Sequence, residues 1–450
     1  MPKLFGTFGV RGISNVELTP KLAFELGLAL ATYLKGRGEV AVGHDNRTSS
    51  EMLENAVSAG LTSGGCDVIA VGLVPTPVLS FTIKHFRCKA GVMITASHNP
   101  PQYNGVKFWG SDGAGMGRGQ EAKIEKIISK KAWKRAPWHR IGRVSRSDAI
   151  TPYMEAVLGK VPRVGRKLKV VVDCANAAGS MMTPRLLTEL GCQVISMNCQ
   201  LDGTFPGRKL EPVPENLGEL AKTVVACKAD LGIAHDGDAD RTLVVDERGD
   251  ILSGDRVFAL VAMHHLRERK RPRIITTVAT SAVLDDVASE LGGKVTRARV
   301  GEPEIIGEFR KRGGDIGGEE NGGVIFPDWL LCREGIMTAV KFIELLDRTG
   351  MKISELDATL PRYSQVKQRI ECPEKLKSKV LRTLAKRFAR QKLDRTDGLR
   401  VVFDDGWLLL RPSGTEPIFR CFAEARDEKR AAELAKLGMK ELKVCVKTAS

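Results

Sequence analysis

Strand and helix signals alternate through the first three quarters of this chain, and that alternation leaves few folds open. Thr19-Pro20 starts a helix, because Thr19 can cap it and Pro20 suits its first position. Leu22, Leu26, Ala29, Leu30 and Tyr33 follow at helical spacing. Strands are predicted over 40–43, 68–71 and 90–95, with helices over 50–64 and 78–85 between them. This rhythm predicts a mostly parallel sheet covered by helices. The 46 glycines and the 5% aromatic content suit it, giving tight turns around an aliphatic core.

The rhythm breaks over 130–147, a polar, basic stretch interrupted by Pro137, and a domain boundary is expected shortly after it. A second αβ block has predicted strands at 168–173, 192–196, 231–235 and 242–246 around a helix at 184–190. A third has strands at 274–277 and 294–297, with helices at 255–269, 283–291, 304–312 and 336–346. The last block differs. A basic amphipathic helix over 374–390 precedes strands at 399–403, 407–411 and 418–425 and a helix at 428–444, which reads as a small α+β domain.

No apolar run approaches the roughly 18 residues of a membrane span, and Arg11 stands where a signal core would continue. A cytoplasmic protein with no membrane partner is expected. The 10 cysteines lie scattered, with no zinc spacing, so reduced and mostly buried thiols are expected. Lys and Arg total 70 against 54 Asp and Glu, a formal charge of +16. That excess fits nucleic acid or an anionic sugar phosphate equally.

Five segments have the wrong composition for a core. Thr95-Ala96-Ser97-His98-Asn99-Pro100 follows an apolar strand, at the end where open αβ sheets hold ligands. Ser97 could be a nucleophile oriented by His98, or the segment could be a polar turn. Asp236-Gly237-Asp238-Ala239-Asp240-Arg241 alternates three carboxylates, which in an extended segment project the same way. Such acids stay ionised together only beside a cation, and all-oxygen ligation suits Mg²⁺. A calcium EF-hand loop fails here, because Arg241 occupies its sixth position, where the turn needs Gly, and 242–245 reads as strand. A solvated acidic turn is the bland alternative.

Gly317-Gly318-Glu319-Glu320-Asn321-Gly322-Gly323 suits sugar hydroxyls, although a hairpin turn explains Asn321-Gly322 equally well. Arg411-Pro412-Ser413-Gly414-Thr415-Glu416-Pro417 offers a guanidinium, hydroxyls and backbone N–H groups for a phosphate, or is a polar hairpin. The glycine-rich 5–12 segment lacks a phosphate-binding fingerprint and reads as an ordered loop or as part of a site.

Taken in this order, the segments resemble those of the α-D-phosphohexomutases: phosphoglucomutases, phosphomannomutases and phosphoglucosamine mutases. The resemblance spans essentially the whole chain. It implies three αβ domains with mixed sheets and a C-terminal α+β domain around a central cleft, here expected at 1–148, 149–250, 251–364 and 365–450. It implies that Ser97 is a phosphoserine and a ligand of one Mg²⁺ together with Asp236, Asp238 and Asp240. Arg241 would lie near that phosphoserine, with His98 and Lys107 in catalytic roles; Lys107 is equally readable as a phosphate-binding or surface lysine. Thr7, Arg11, Glu319, Asn321, Arg411, Ser413, Gly414 and Thr415 would bind substrate. The implied reaction interconverts hexose 6-phosphate and hexose 1-phosphate through a hexose bisphosphate, which also serves as activator.

Many relatives carry Ser and a final His in the sugar loop, where this chain has Asn321 and Gly323. The loop is similar to that of archaeal phosphoglucosamine mutases. This favours glucosamine phosphates, with phosphomannomutase/phosphoglucomutase activity as the alternative. A nucleic-acid-binding protein on a mutase fold is the remote reading. The basic runs 267–273 and 375–395 lack the interleaved aromatics that stack bases, which disfavours it. A homo-oligomer is compatible with the sequence.

Overall fold

The computed structural model describes residues 4–6, 8–414 and 416–449. They form four sheets. The first runs in the order Val10–Ile13, Tyr103–Gly110, Ala90–Ile94, Glu39–His44, Asp67–Leu73 and Val144–Arg146. Its first two junctions are antiparallel and the other three parallel. The sheet is therefore mixed rather than mostly parallel. The glycine-rich segment also ends in an edge strand, Val10–Ile13, instead of a simple loop. The polar stretch after 130 adds the short parallel strand Val144–Arg146 at the other edge.

The second sheet runs Thr242–Val245, Leu231–His235, Lys169–Asp173, Gln193–Met197, and the third Lys294–Ala298, Arg273–Thr277, Ile316–Gly318, Val324–Ile325. Each is parallel except for one antiparallel edge strand. The fourth is wholly antiparallel: Ser364–Glu371, Ile418–Ala425, Gly406–Pro412, Leu399–Phe403, Lys392–Asp394. Helices Glu374–Arg387 and Glu428–Ala449 cover it.

One device recurs in all four sheets. A strand runs toward the site, turns, and returns antiparallel beside itself. The connections are 95–102, 236–241, 319–323 and 413–417, and the four polar segments fall on them, two beginning in the last residues of the incoming strand. Tyr103–Gly110 is the returning strand that the apolar pattern hides. Asn104 and Lys107 are both fully buried within it, so alternation fails where polar side chains face inward.

One apolar core runs through the first three sheets, from Phe8, Val78 and Tyr153 through Val171 and Leu187 to Phe258 and Phe342, while a second, with Val42, Leu61, Ile94 and Phe108, packs helices Pro20–Tyr33 and Ser50–Ser63 onto the first sheet. The fourth sheet has its own core. A small cluster, Val278 and Ala279 with Trp407 and Leu409, joins it to the third. All ten cysteines are free thiols. Among the described residues no helix is long and apolar enough to cross a membrane.

Helices Pro20–Tyr33 and Ser50–Ser63 cross at two glycines. A Cβ at Gly27 would lie 2.2 Å from the Val57 carbonyl oxygen, and one at Gly60 2.2 Å from that of Phe24. Backbone contact this close cannot admit a methyl group without moving a helix. Gly27→Ala is expected to lower stability by about 1–3 kcal/mol, as overpacking does, read as a shifted urea midpoint with an unchanged slope.

Candidate active site

Ser97 sits in the turn after Ala90–Ile94 with φ of +52°, a left-handed conformation that a non-glycine residue adopts only when its surroundings impose it. Arg47 imposes it. This buried guanidinium donates to four carbonyl oxygens, those of Ser97 (2.9 Å), Asn99 (2.7 Å), Pro100 (2.6 Å) and Tyr103 (2.9 Å). Asp45 pairs with Arg47 at 3.0 Å and accepts the Thr95 hydroxyl at 2.6 Å, while Thr95 Oγ1 accepts the Ser97 N–H at 2.8 Å. Neither Asp45 nor Arg47 belongs to the polar motifs. A buried arginine can be recognised only once the carbonyls it serves are known.

The second turn packs directly on the first. A Cβ at Gly237 would lie 2.4 Å from the Ser97 carbonyl oxygen, so this glycine is required for close approach. The three aspartates do not alternate along an extended segment. They converge through a turn in which Ala239 is left-handed, with φ of +52°. All three are buried, and one oxygen of each lies within 4.8 Å of the others. Ser97 Oγ donates to Asp236 Oδ2 at 2.8 Å. Asp238 Oδ2 accepts Lys107 Nζ at 3.0 Å and the Thr76 hydroxyl at 2.8 Å.

Burial, with Asp240 and Asp238 alongside, pushes the Asp236 carboxyl well above the usual range. Asp238 feels the same burial, but Lys107 and Thr76 more than offset it and hold its carboxyl low. Asp238 Oδ1 and Asp240 Oδ1 are buried acceptors with no hydrogen-bond partner among the described residues. Hard oxygens left unsatisfied beside a crowded carboxylate fit a divalent cation such as Mg²⁺.

Lys107 is fully buried, with Asp238 as its ion-pair partner and the Phe8 ring centroid 5.6 Å from its ammonium. Gly9 makes room for it, since a Cβ there would meet Lys107 Cγ at 2.9 Å. Arg11, on the edge strand, reaches back to Asn99 Oδ1 at 2.9 Å. His98 Nδ1 is 3.4 Å from Ser97 Oγ and 3.2 Å from Glu211 Oε2. Burial and the cations Arg241 and Arg11 push this imidazole down to about 2, so it is neutral and its contact with Glu211 is a hydrogen bond rather than an ion pair. Arg241 Nη1 donates to Glu211 Oε1 at 2.6 Å, with Asp240 and Asp236 beside its Nε.

Arg333 joins the second turn to the third. Its guanidinium pairs with Asp240 (2.5 Å), Glu319 (3.3 Å) and Glu302 (3.3 Å). Glu319 is thus a buried, paired carboxylate that also accepts the Gly301 N–H at 3.1 Å. Asn321 turns its amide oxygen onto the Gly323 N–H at 3.1 Å. A Cβ at Gly323 would fall 2.4 Å from Arg333 Cδ, so the side chain missing there is space that Arg333 fills. The contacts continue to the fourth turn. The N–H of Val300 is held by Asp397 Oδ2 at 3.0 Å, and the same oxygen takes Arg411 Nε at 2.7 Å. Ser413 is buried, and its carbonyl accepts Lys377 Nζ at 2.6 Å. Gly414 borders open space. Thr7 and Thr415 lie outside the described residues.

Four domains, each carrying a polar hairpin turn and linked turn to turn by side-chain contacts, are the build of a phosphohexomutase, an isomerase that relocates a phosphoryl group on a sugar. The phosphoglucomutase/phosphomannomutase models match in order: the alpha/beta/alpha domains I, II and III over residues 2–135, 151–249 and 253–363, and the C-terminal domain over 368–437. The chain belongs to this family. It is 46% identical to a phosphoglucomutase/phosphomannomutase of Thermococcus kodakarensis, covering 99% of this chain and 100% of that one. It is 45% identical to a probable phosphoglucosamine mutase of Pyrococcus abyssi across 100% of both chains. A solved phosphoglucomutase/phosphomannomutase family protein from Burkholderia thailandensis superposes with a TM-score of 0.90 at 29% identity, covering 98% and 97% of the two chains.

Two outcomes follow from this geometry. Gly237→Ala forces the serine and aspartate turns apart, and turnover should fall by about a hundredfold, as misplacements near 1 Å do, with a lowered thermal melting point from the same overpacking. Asp238→Asn removes a candidate metal oxygen and the carboxylate partner of Lys107. Activity should fall steeply, and the Mg²⁺ concentration giving half-maximal rate should rise; an unchanged titration would remove Asp238 from the ligand set.

Proposed function

We propose that this phosphohexomutase carries its phosphoryl group on Ser97 and interconverts glucosamine 6-phosphate and glucosamine 1-phosphate. The observation that carries the reading is the Ser97 hydroxyl, buried and bonded at 2.8 Å to one of three converging carboxylates. The phosphoryl group passes from Oγ to the free hydroxyl of the bound sugar phosphate. The P–Oγ bond breaks, a P–O(sugar) bond forms, and the hydroxyl proton leaves to a base. The resulting bisphosphate turns over, and its other phosphoryl group returns to Ser97.

Catalysis of this kind rests on positioning and charge. Arg47 and Thr95 fix the serine. Arg241 and Arg11 supply positive charge beside its turn. Lys107, buried against Asp238, is assigned the proton transfer at the sugar hydroxyl. Asp236, Asp238 and Asp240 would hold Mg²⁺, which supplies charge neutralisation on the transferring group. Arg411, Ser413, Gly414 and Thr415 would take the phosphate that does not react.

Two observations support an aminosugar. The Pyrococcus abyssi relative bears the phosphoglucosamine mutase name. Glu320, on the sugar loop, keeps a partly exposed carboxylate with one long contact, from the Thr277 hydroxyl at 3.4 Å, and a carboxylate is suited to a sugar ammonium. The second reading, a phosphoglucomutase/phosphomannomutase, draws on the Thermococcus kodakarensis relative.

Glucosamine 6-phosphate, mannose 1-phosphate and glucose 1-phosphate should be assayed side by side. The highest kcat/KM is expected for the aminosugar, and a clear preference for either neutral sugar would transfer the assignment. Ser97→Ala should abolish nearly all turnover while leaving the circular dichroism spectrum intact. Full activity in that variant would end the phosphoserine mechanism.

A further inference from the structure

Glu211 stands where the sequence motifs give no reason to look. It lies in the loop between Gln193–Met197 and the helix Gly218–Ala226. Its backbone is pinned, because its carbonyl accepts the Val213 N–H at 3.0 Å and Asn216 Nδ2 at 2.8 Å. The preceding residue, Leu210, is buried beneath Gly237, with its Cδ1 3.2 Å from where a Cβ there would sit. The carboxylate is therefore delivered to one place, beside Ser97, while 29% of the side chain stays open to solvent.

What it touches there is specific. Oε1 takes Arg241 Nη1 at 2.6 Å, and Oε2 takes His98 Nδ1 at 3.2 Å. That same imidazole nitrogen is 3.4 Å from Ser97 Oγ. An anion attached to Ser97 Oγ would need these two donors, and in this structure one carboxylate engages both. Two negative groups cannot share the two donors without repulsion, so only one can hold them at a time.

We propose that Glu211 is a positioning residue that stands in for the phosphoryl group, holding Arg241 and His98 while Ser97 is unphosphorylated and releasing them to phosphoserine. The inference rests on the assignment of Ser97 as phosphoryl carrier. The side chain has solvent to move into, and the backbone need not follow. The carboxylate keeps Arg241 oriented in the dephosphorylated enzyme, at the cost of opposing the charge that Ser97 must accept.

The test starts from phosphatase-treated protein with Mg²⁺ and titrates glucose 1,6-bisphosphate. The fraction phosphorylated is read by intact mass, and the site by peptide mapping. In Glu211→Gln the concentration that half-phosphorylates Ser97 should fall about tenfold relative to wild type, since a charge-assisted competitor is gone. Glu211→Ala should move it in the same direction, and a melting curve for each variant checks folding. A purely structural role would weaken phosphorylation or leave it unmoved, so an equal or higher half-point in folded variants overturns the proposal. Wild-type protein that takes no phosphate on Ser97 overturns the phosphoserine reading itself, and this inference with it.

Discussion

Three carboxylates lie buried within reach of one another, and most of the chain's unusual features answer that one electrostatic demand. Asp236, Asp238 and Asp240 are each no more than 1% exposed. Leaving such charges uncompensated costs several kcal/mol apiece. The compensation comes from far apart in sequence. Lys107 arrives on the returning strand of the first sheet and Arg333 from the loop beyond the third, while Arg241 follows the aspartates themselves. The aspartate turn is thereby the point at which three domains are tied together.

The tie is mechanical as well as electrostatic. Gly237 lies against the Ser97 carbonyl, and a Cβ on Gly322 of the third turn would lie 2.5 Å from the Thr242 carbonyl oxygen. The first three turns thus pack backbone to backbone, over an apolar core that is continuous through their domains. The fourth domain has a separate core, and the path from Asp397 to Val300 and Arg411 links its loop to the third. The serine and aspartate turns thus share one packed platform, and the fourth turn stands on a domain with its own core.

The site also assigns its arginines unequally. Arg47 is spent on carbonyl oxygens and sets the serine backbone. Arg333 is spent on three carboxylates. Arg241 pairs with Glu211 beside Asp236 and Asp240, and Arg11 reaches Asn99, so both lie beside the Ser97 turn. The chain's surplus positive charge is mostly elsewhere. Arg271, Arg273, Lys294 and Arg312, for instance, ring a groove at the opposite end of the third sheet from the sugar loop. The +16 balance is therefore a poor guide to the reaction.

The sequence alone determined the αβ rhythm, the antiparallel last domain, the turns that hold Ser97, the three aspartates and Glu319, and the turn that follows Arg411. Those are local properties: helix caps, apolar periodicity, and polar residues clustered after a strand. It could not reveal the strand Tyr103–Gly110, because Asn104 and Lys107 point inward there and break the alternation. Nor could it reveal Arg47, Asp45, Glu211 or Arg333, which sit in unremarkable surroundings and acquire meaning through distant partners, 50 residues away in the Arg47–Ser97 contact and 93 in the Arg333–Asp240 pair. Even the aspartates, visible as a motif, met through a left-handed turn at Ala239 rather than through strand alternation. Tertiary structure decided these points because the free energy of a buried charge depends on which groups surround it, and folding brings those groups from other domains.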